Sequence, residues 1–343
     1  MRVLLTHQWF PPDFAGGGEY LVGETAKRLQ AAGLDVSVLT AGDPKQDVWE
    51  GVRVKRLPMH RYRLYFAEQA IADEARDADL VQTFTYHASL ASYRAARRLK
   101  KPVVCTCLGI YADAWRGMKG PLVGRVLQWW EKKLVRLPYD RLILLSDGNR
   151  EQALKFGALP ERMRVIEPAV DLDLYAPIAE KQDYVLFAGK LESRKGVDEL
   201  LATARALPHV PFRVLGFGPG EKQFIRDAPP NIEYLGFQTG DSFCRQFANA
   251  SIFFLPSKAE GYPLVLIYAK AAGCAIVSTL LFEFAGERVA QGDQPGLIAA
   301  IDRLWSQPEK TRAYGAENLA LSRKHHWDVH IDTLLDAYRE VLK

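Results

Sequence analysis

The chain has 343 residues, 48% hydrophobic and 25% charged, with a net charge of +4. That length suggests two domains, and that composition excludes a mainly disordered chain. The longest apolar runs, residues 251–255 and 263–269, fall far short of the roughly 20 residues a bilayer span needs. Residues 1–10 lack the apolar core of a signal peptide, so a cytoplasmic protein is expected. The charge is uneven: residues 1–176 hold 26 Lys and Arg against 21 Asp and Glu, and the remainder 19 against 20. An excess this small argues against nucleic acid as a partner and fits an anionic small substrate or an anionic membrane surface.

In chain order, residues 3–6 are an apolar strand. Residues 19–32 carry Leu21, Val22, Ala26 and Leu29 at helical spacing and stop at Gly33, a natural residue after a helix end. A strand follows at 36–40. Residues 52–57 alternate Val52, Val54 and Leu57 with basic residues and read as an exposed edge strand. Residues 80–84 and 103–108 are strands around a helix at 88–99. Cys105 and Cys107 lie in the second of these; their spacing does not suit a structural zinc site, and with only Cys244 and Cys274 besides, they read as buried strand thiols. Strands at 142–145 and 164–166 complete a parallel sheet covered by helices. Residues 167–183 read as a linker.

The pattern then restarts. Strands are expected at 184–188, 212–215, 232–235, 251–255 and 275–278, with helices at 197–207 and 263–272. Residues 327–342 form an amphipathic helix whose stripe (Ile331, Leu334, Leu335, Tyr338) needs a docking surface. The expected class is α/β, with two doubly wound units and a ligand cleft at the carboxyl ends of their strands.

Three loops carry candidate chemistry. Gly16-Gly17-Gly18-Glu19 opens the first helix and would let a backbone approach an anion. It matches neither the dinucleotide nor the P-loop fingerprint, and a plain strand-to-helix turn explains it equally well. Residues 189–196 (Gly-Lys-Leu-Glu-Ser-Arg-Lys-Gly) place three cations beside a strand end, a phosphate clamp in the making. Residues 256–269 are the most informative. Pro263 suits a first helical position, leaving the amides of Leu264 and Val265 as free donors for phosphate. Glu260 beside them would accept hydrogen bonds from hydroxyl groups. Together they suggest a ligand with phosphate next to polyol hydroxyls.

These motifs, in this order, resemble the GT-B glycosyltransferases of family 4. Phe10-Pro11-Pro12 with Gly16-Gly17 and Glu19, residues 165–171, Gly189-Lys190-Leu191 with Lys195-Gly196, residues 216–220, Leu235-Gly236 and residues 256–273 all take part, so the resemblance spans nearly the whole chain. It implies two Rossmann-like domains: residues 1–170 for the acceptor, joined by a helix at 325–343 that crosses back, and residues 178–324 for the nucleotide-sugar donor. It implies transfer to a hydroxyl acceptor with retention of configuration, no metal and no cofactor beyond the nucleotide sugar. Gly16 and Gly17 would lie near the donor diphosphate, Lys190 and Lys195 would neutralise it as it leaves, and Glu260 would hold the sugar. Gly189, Gly218, Gly261 and the backbone of Leu264 and Val265 would complete the donor site.

The sequence also departs from the family pattern. Tyr268 stands where a second Glu usually holds the ribose, and here Lys190 replaces the usual Arg. Leu108 replaces a His near the acceptor, Gln82 and Phe84 replace a pair of His, and the 280–294 loop is short. His87, Leu108 and Asp113 are the acceptor-side candidates. These departures leave open a catalytically degenerate sugar-nucleotide-binding or scaffold subunit. Residues 122–136 pair Leu122, Val126 and Trp130 with Arg125, Lys132 and Lys133. They read either as a scaffold helix with a solvated basic face or as a peripheral membrane contact. The resemblance suggests a polysaccharide pathway, at the inner face of the membrane.

Overall fold

The computed structural model describes residues 1–13, 16–178 and 181–343. Phe14, Ala15, Ala179 and Glu180 lie outside the described residues, the last two within the expected linker. The chain forms two compact units, one of Met1–Ala169 with Trp327–Lys343, the other of Val170–His326.

The first unit follows the sequence pattern closely. Its elements are β1 (Arg2–Thr6), α1 (Gly17–Ala31), β2 (Asp35–Ala41), β3 (Val48–Trp49), β4 (Val52–Leu57), α2 (Glu68–Ala75), β5 (Leu80–Phe84), α3 (Ser89–Arg98), β6 (Val103–Cys107), α4 (Ala114–Lys119), α5 (Pro121–Val135), β7 (Arg141–Leu144), α6 (Asp147–Phe156) and β8 (Met163–Val165). The sheet order is β3-β4-β2-β1-β5-β6-β7-β8. β1 pairs in parallel with β2 on one side and β5 on the other, so the winding reverses between β1 and β5. β5 and β6 are buried along their whole length, as strands covered on both faces must be. Leu4, Leu39, Ile71, Val81, Val103 and Leu144 fill the core, each worth about 1.5–3 kcal/mol of burial.

Residues 52–57 are not the sheet edge. A tight turn at Glu50-Gly51, both at positive φ, folds β3 back antiparallel over β4. The basic residues of β4 are not all solvated either. Arg56 is buried, and its guanidinium donates to the carbonyls of Gln46, Phe10 and Pro11. A buried cation is tolerated here because three carbonyls share its protons. The result pins the segment that follows β1.

The last helix, α13 (Trp327–Leu342), belongs to the first unit and packs on α1. Its stripe buries Trp327, Ile331, Leu334, Ala337 and Tyr338. The Tyr338 hydroxyl donates to Gln82 Oε1, and Gln82 Nε2 donates to Thr106 Oγ1 at 2.8 Å. Gln82 therefore knits α13 to β5 and β6. The carboxyl-terminal half of α5 is a scaffold: Leu134 and Val135 are buried, and the buried Glu131 accepts from Tyr86 Oη (2.6 Å) and from the amides of Tyr111 (2.9 Å) and Ala112 (2.8 Å). The amino-terminal half is different. Leu122 is 78% and Trp129 60% exposed, with Val123 and Val126 exposed between them.

The second unit contains β9 (Gln182–Ala188), α7 (Val197–Ala206), β10 (Phe212–Leu215), α8 (Glu221–Asp227), β11 (Ile232–Gly236), α9 (Gly240–Asn249), β12 (Ala250–Leu255), α10 (Leu264–Ala271), β13 (Ala275–Ser278), β14 (Gly286–Arg288), α11 (Gln294–Ser306) and α12 (Pro308–Ser322). Its sheet runs β11-β10-β9-β12-β13-β14, parallel throughout. This is the doubly wound order with its switch point between β9 and β12. Phe187, Phe212, Ile252, Phe254 and Leu297 form its core. The expected linker is only partly irregular, since Leu172–Tyr175 is a 3-10 turn.

Candidate active site

Adjacent parallel strands β9 and β12 both release loops at the carboxyl edge of the second sheet. The β9 loop is 189–196 and the β12 loop is 256–263, so the sheet brings together the two motifs that carry chemistry. Close backbone contacts hold them. Gly196 adopts φ +78°, and a Cβ there would lie 2.2 Å from the Pro256 carbonyl oxygen. Gly216, at φ +147°, would place a Cβ 1.8 Å from the Gly189 carbonyl oxygen. Both positions require glycine on conformation and on space. The Lys258 amide donates to the Arg194 carbonyl at 2.8 Å, and the Leu191 amide to the Phe217 carbonyl at 2.9 Å.

At the centre is Glu260, its side chain only 6% exposed. Lys195 Nζ donates to its Oε1 at 2.6 Å, and Arg194 Nη1 to its Oε2 at 3.1 Å. Arg194 also donates to the Ala259 carbonyl (2.7 Å) and, through Nη2, to Glu192 Oε1 (2.8 Å). Burial alone would raise the Glu260 carboxyl; the adjacent Lys195 and Arg194 charges and the Lys195 hydrogen bond more than offset it, holding the group below the ordinary carboxylate range. Glu260 is therefore an ionised acceptor at neutral pH. Two cations and two carboxylates balance in this cluster. Lys190, in the same loop, makes no ion pair among the described residues, so it adds the positive surplus.

α10 begins at Leu264, not at Pro263. Pro263 is extended, with ψ 109°, and caps the helix from outside; its carbonyl accepts the Leu266 amide at 2.9 Å. The amides of Leu264 and Val265 remain the first two of the helix, which no carbonyl of the helix can reach. Tyr268, four residues on, is buried and lies parallel to Tyr175 at 4.3 Å between centroids, edge-on to Phe243 and Phe247. Its ring belongs to an aromatic cluster. A surface cleft of about 600 Å³ lined by Gln182, Phe212 and Ile232 lies at the other, amino edge of these strands, away from the charged loops.

In the first unit, Gly16 is the extended residue before α1 and Gly17 its first residue. Leu108 packs against Gly18, where a Cβ would approach its Cδ1 to 3.2 Å. Its amide donates to Thr85 Oγ1 at 3.2 Å. Asp113 is exposed before α4, where it pairs with Arg116 at 3.4 Å and accepts from Gln128 at 3.0 Å. It is a surface carboxylate. His87 follows β5, half-buried, its ring 4.7 Å from that of Tyr62. Burial, with the neighbouring Arg61 charge, lowers it to about 4, so it is neutral.

Comparison with known proteins decides the family. Residues 15–174 match the family model Glycosyltransferase Family 4, and residues 182–307 match Glycosyl transferases group 1. The chain belongs to the family 4 glycosyltransferases. Two relatives, from Segniliparus rotundus and Catenulispora acidiphila, are each named a D-inositol 3-phosphate glycosyltransferase; both are 24% identical. The first alignment covers 99% of this chain and 88% of the relative, the second 96% and 92%. Solved structures agree on the GT-B fold. Sucrose-phosphate synthase from Thermosynechococcus elongatus superposes with TM-score 0.86 at 19% identity, over 99% of this chain and 98% of that one. HepE from Anabaena, in complex with UDP-glucose, superposes with 0.80 at 17%, over 99% of each chain. This protein is thus a GT-B glycosyltransferase that uses nucleotide-sugar donors, as the resemblance implied. The sequence pointed to Glu260 and Lys195. Arg194 was legible only as a loop cation, because its pairing with Glu260 depends on β9 and β12 being neighbours.

Proposed function

We propose that this glycosyltransferase moves a sugar, with retention of anomeric configuration and without a metal ion, from a nucleoside-diphosphate donor to a hydroxyl acceptor. The observation that carries this is the buried, ionised Glu260 held by Lys195 and Arg194 at the switch point, four residues before a helix amino end. Glu260 accepts hydrogen bonds from the hydroxyls of the transferred sugar. Lys190, Lys195 and the amides of Leu264 and Val265 hold the diphosphate and take up its growing charge. The acceptor oxygen bonds to the anomeric carbon on the face from which the diphosphate leaves. The electron pair of the broken bond goes to the departing phosphate oxygen, and the acceptor proton follows it. The HepE structures hold UDP and UDP-glucose, which makes UDP-glucose the first donor to try. Proton NMR of the product, formed in the presence of EDTA, tests the reading. An axial donor should give an axial product at an undiminished rate. An inverted product, or a rate that EDTA abolishes, contradicts it.

We also propose a cytoplasmic protein that rests on an anionic membrane face. No helix among the described residues is long and apolar enough to cross a membrane. The support for surface contact is the exposed apolar row Leu122, Val123, Val126 and Trp129 on α5, with Arg125, Lys132 and Lys133 on the same helix. Lys133 Nζ lies 5.4 Å from the Trp129 ring and 5.6 Å from that of Trp130.

A further inference from the structure

Lys195 faces two demands on its single charge. In the structure its ammonium donates to Glu260 Oε1 at 2.6 Å. The proposed reaction asks the same ammonium to face a diphosphate. Were Lys195 the sole cation on Glu260, that move would strip a carboxylate whose side chain is only 6% exposed. A buried carboxylate without a cation takes up a proton. It would then carry a donor where the sugar hydroxyls need an acceptor.

The neighbouring residue is built to stay. Arg194 lies in the 3-10 turn Ser193–Lys195, and its own carbonyl accepts the Lys258 amide at 2.8 Å. Its Nη1 donates to the Ala259 carbonyl at 2.7 Å and to Glu260 Oε2 at 3.1 Å. Its Nε and Nη2 donate to Glu192 Oε1 at 3.2 Å and 2.8 Å. The guanidinium is therefore tied to both loops of the site. Glu192 is 33% exposed, so solvent screens its charge, and the Arg194 charge serves the buried Glu260. Lys195 is held differently. Among the described residues Glu260 is the one hydrogen-bond partner of its ammonium, so two of its three N–H donors are unspent. Its stem runs past the carboxyl end of β9, where a Cβ on Gly189 would lie 3.7 Å from Lys195 Cδ. A flexible ammonium can swing from one anion to another. A planar guanidinium forked across fixed acceptors would lose several bonds at once.

We infer that Arg194 is the positioning residue of this site: it keeps Glu260 aimed and charge-paired while Lys195 exchanges that carboxylate for the donor diphosphate. The two adjacent cations thus divide the work. Arg194 never touches the donor and acts through Glu260; Lys195 alternates between two anions. The inference rests on the glycosyltransferase reading, since the exchange needs a donor diphosphate.

Calorimetry of the full chain at pH 6 tests it. UDP-glucose is titrated in two buffers of different ionisation enthalpy, which counts the protons taken up on binding; its diphosphate has no group that titrates near that pH. GDP-mannose, ADP-glucose and TDP-glucose follow, and the tightest binder is used throughout. Wild type should take up close to none. Arg194→Gln should still bind and should take up about half a proton or more, because the carboxyl that Lys195 leaves is then buried without a cation. Arg194→Lys should return the uptake most of the way to the wild-type value. Adding Glu260→Gln to Arg194→Gln should abolish it. An Arg194 that only braces the loops would, when changed, weaken binding without a proton that depends on Glu260. A crystal structure of the wild type with the same ligand tests the exchange without any variant: Lys195 Nζ should lie on the diphosphate, out of hydrogen-bond reach of Glu260, with Arg194 still on Oε2. No added proton in Arg194→Gln, uptake that persists in the double variant, or Lys195 still on Glu260 beside the bound ligand overturns the inference while the donor site stands. Failure of every nucleotide sugar to bind would instead remove the glycosyltransferase reading, and the inference with it.

Discussion

Glu260 and Lys195 are joined by a 2.6 Å contact inside a largely buried cluster, so changing either one disturbs the other. Glu260→Gln keeps the shape and removes the charge. It should leave the protein folded and lower transfer by a factor of about 100 or more, since a buried charged contact to the reacting sugar is lost. Lys195→Ala should do the same. Steady-state rates beside melting curves check this, and normal transfer by Glu260→Gln would contradict the role given to it. His7 offers a test at the other switch point. Its pKa is lowered by burial from 6.5 to about 4, so the unfolded chain binds its proton first as the pH falls. Its contribution to stability is complete above pH 6.5 and is lost between 6.5 and 4. The stability gap between wild type and His7→Gln should therefore shrink by ~3 kcal/mol from pH 7.5 to 4. Denaturant unfolding at the two pH values measures it; a pH-independent gap would mean that His7 is not held neutral. These residues also show what was legible. Glu260, Lys190 and Lys195 could be found because each sits in a local pattern of loop, glycine and helix start. The pairing of Arg194 with Glu260 could not, because it depends on β9 and β12 being neighbours although 66 residues separate the two side chains.

Most elements were readable from periodicity, and the misplaced ones have physical causes. The alternation in 52–57 is a true strand signal, but a two-residue partner strand is too short to leave a pattern of its own, so the sequence pattern alone places β4 at the edge. Pro263 satisfies the φ of a helix start and of an extended cap equally; only ψ separates them. In α5, amphipathicity alone could not say which face is covered. The structure buries Leu134 and Val135 and exposes the row from Leu122 to Trp129, close to a second aromatic surface, where Tyr65 meets Trp130 at 5.0 Å and Phe66 is 80% exposed. The protein should sediment with phosphatidylglycerol vesicles at low salt, release as salt rises, and ignore phosphatidylcholine, because each basic residue near an anionic surface contributes about 1 kcal/mol. Val126→Glu with Trp129→Ser should weaken that retention at least about 10-fold without lowering the melting temperature. Equal retention of the variant would sink the membrane contact.

At the scale of the molecule, two sheets each reverse their winding at one point, and polar side chains gather at both. In the second unit these are charges in a balanced cluster with Lys190 to spare; in the first they are neutral imidazoles and the Arg61 guanidinium stacked on Trp9. The restart of the strand–helix pattern after residue 183 made the two-unit architecture legible from sequence. The acceptor was not: of the three candidates His87, Leu108 and Asp113, Leu108 packs against Gly18, Asp113 is exposed beside Arg116 and His87 is half-buried against Tyr62, and none of these contacts names an acceptor chemistry. The measurement that bears most directly on the central claim is thermal unfolding against UDP, GDP, ADP, CMP and TDP and their sugar conjugates, without metal, for wild type and Lys195→Ala. A ligand at 100 times its dissociation constant should add about 2.7 kcal/mol of stability. Wild type should show a clear rise in melting temperature with one base, and Lys195→Ala should lose that rise. No rise with any nucleotide, or one that Lys195→Ala leaves intact, would contradict a donor site at Glu260 and its paired cations.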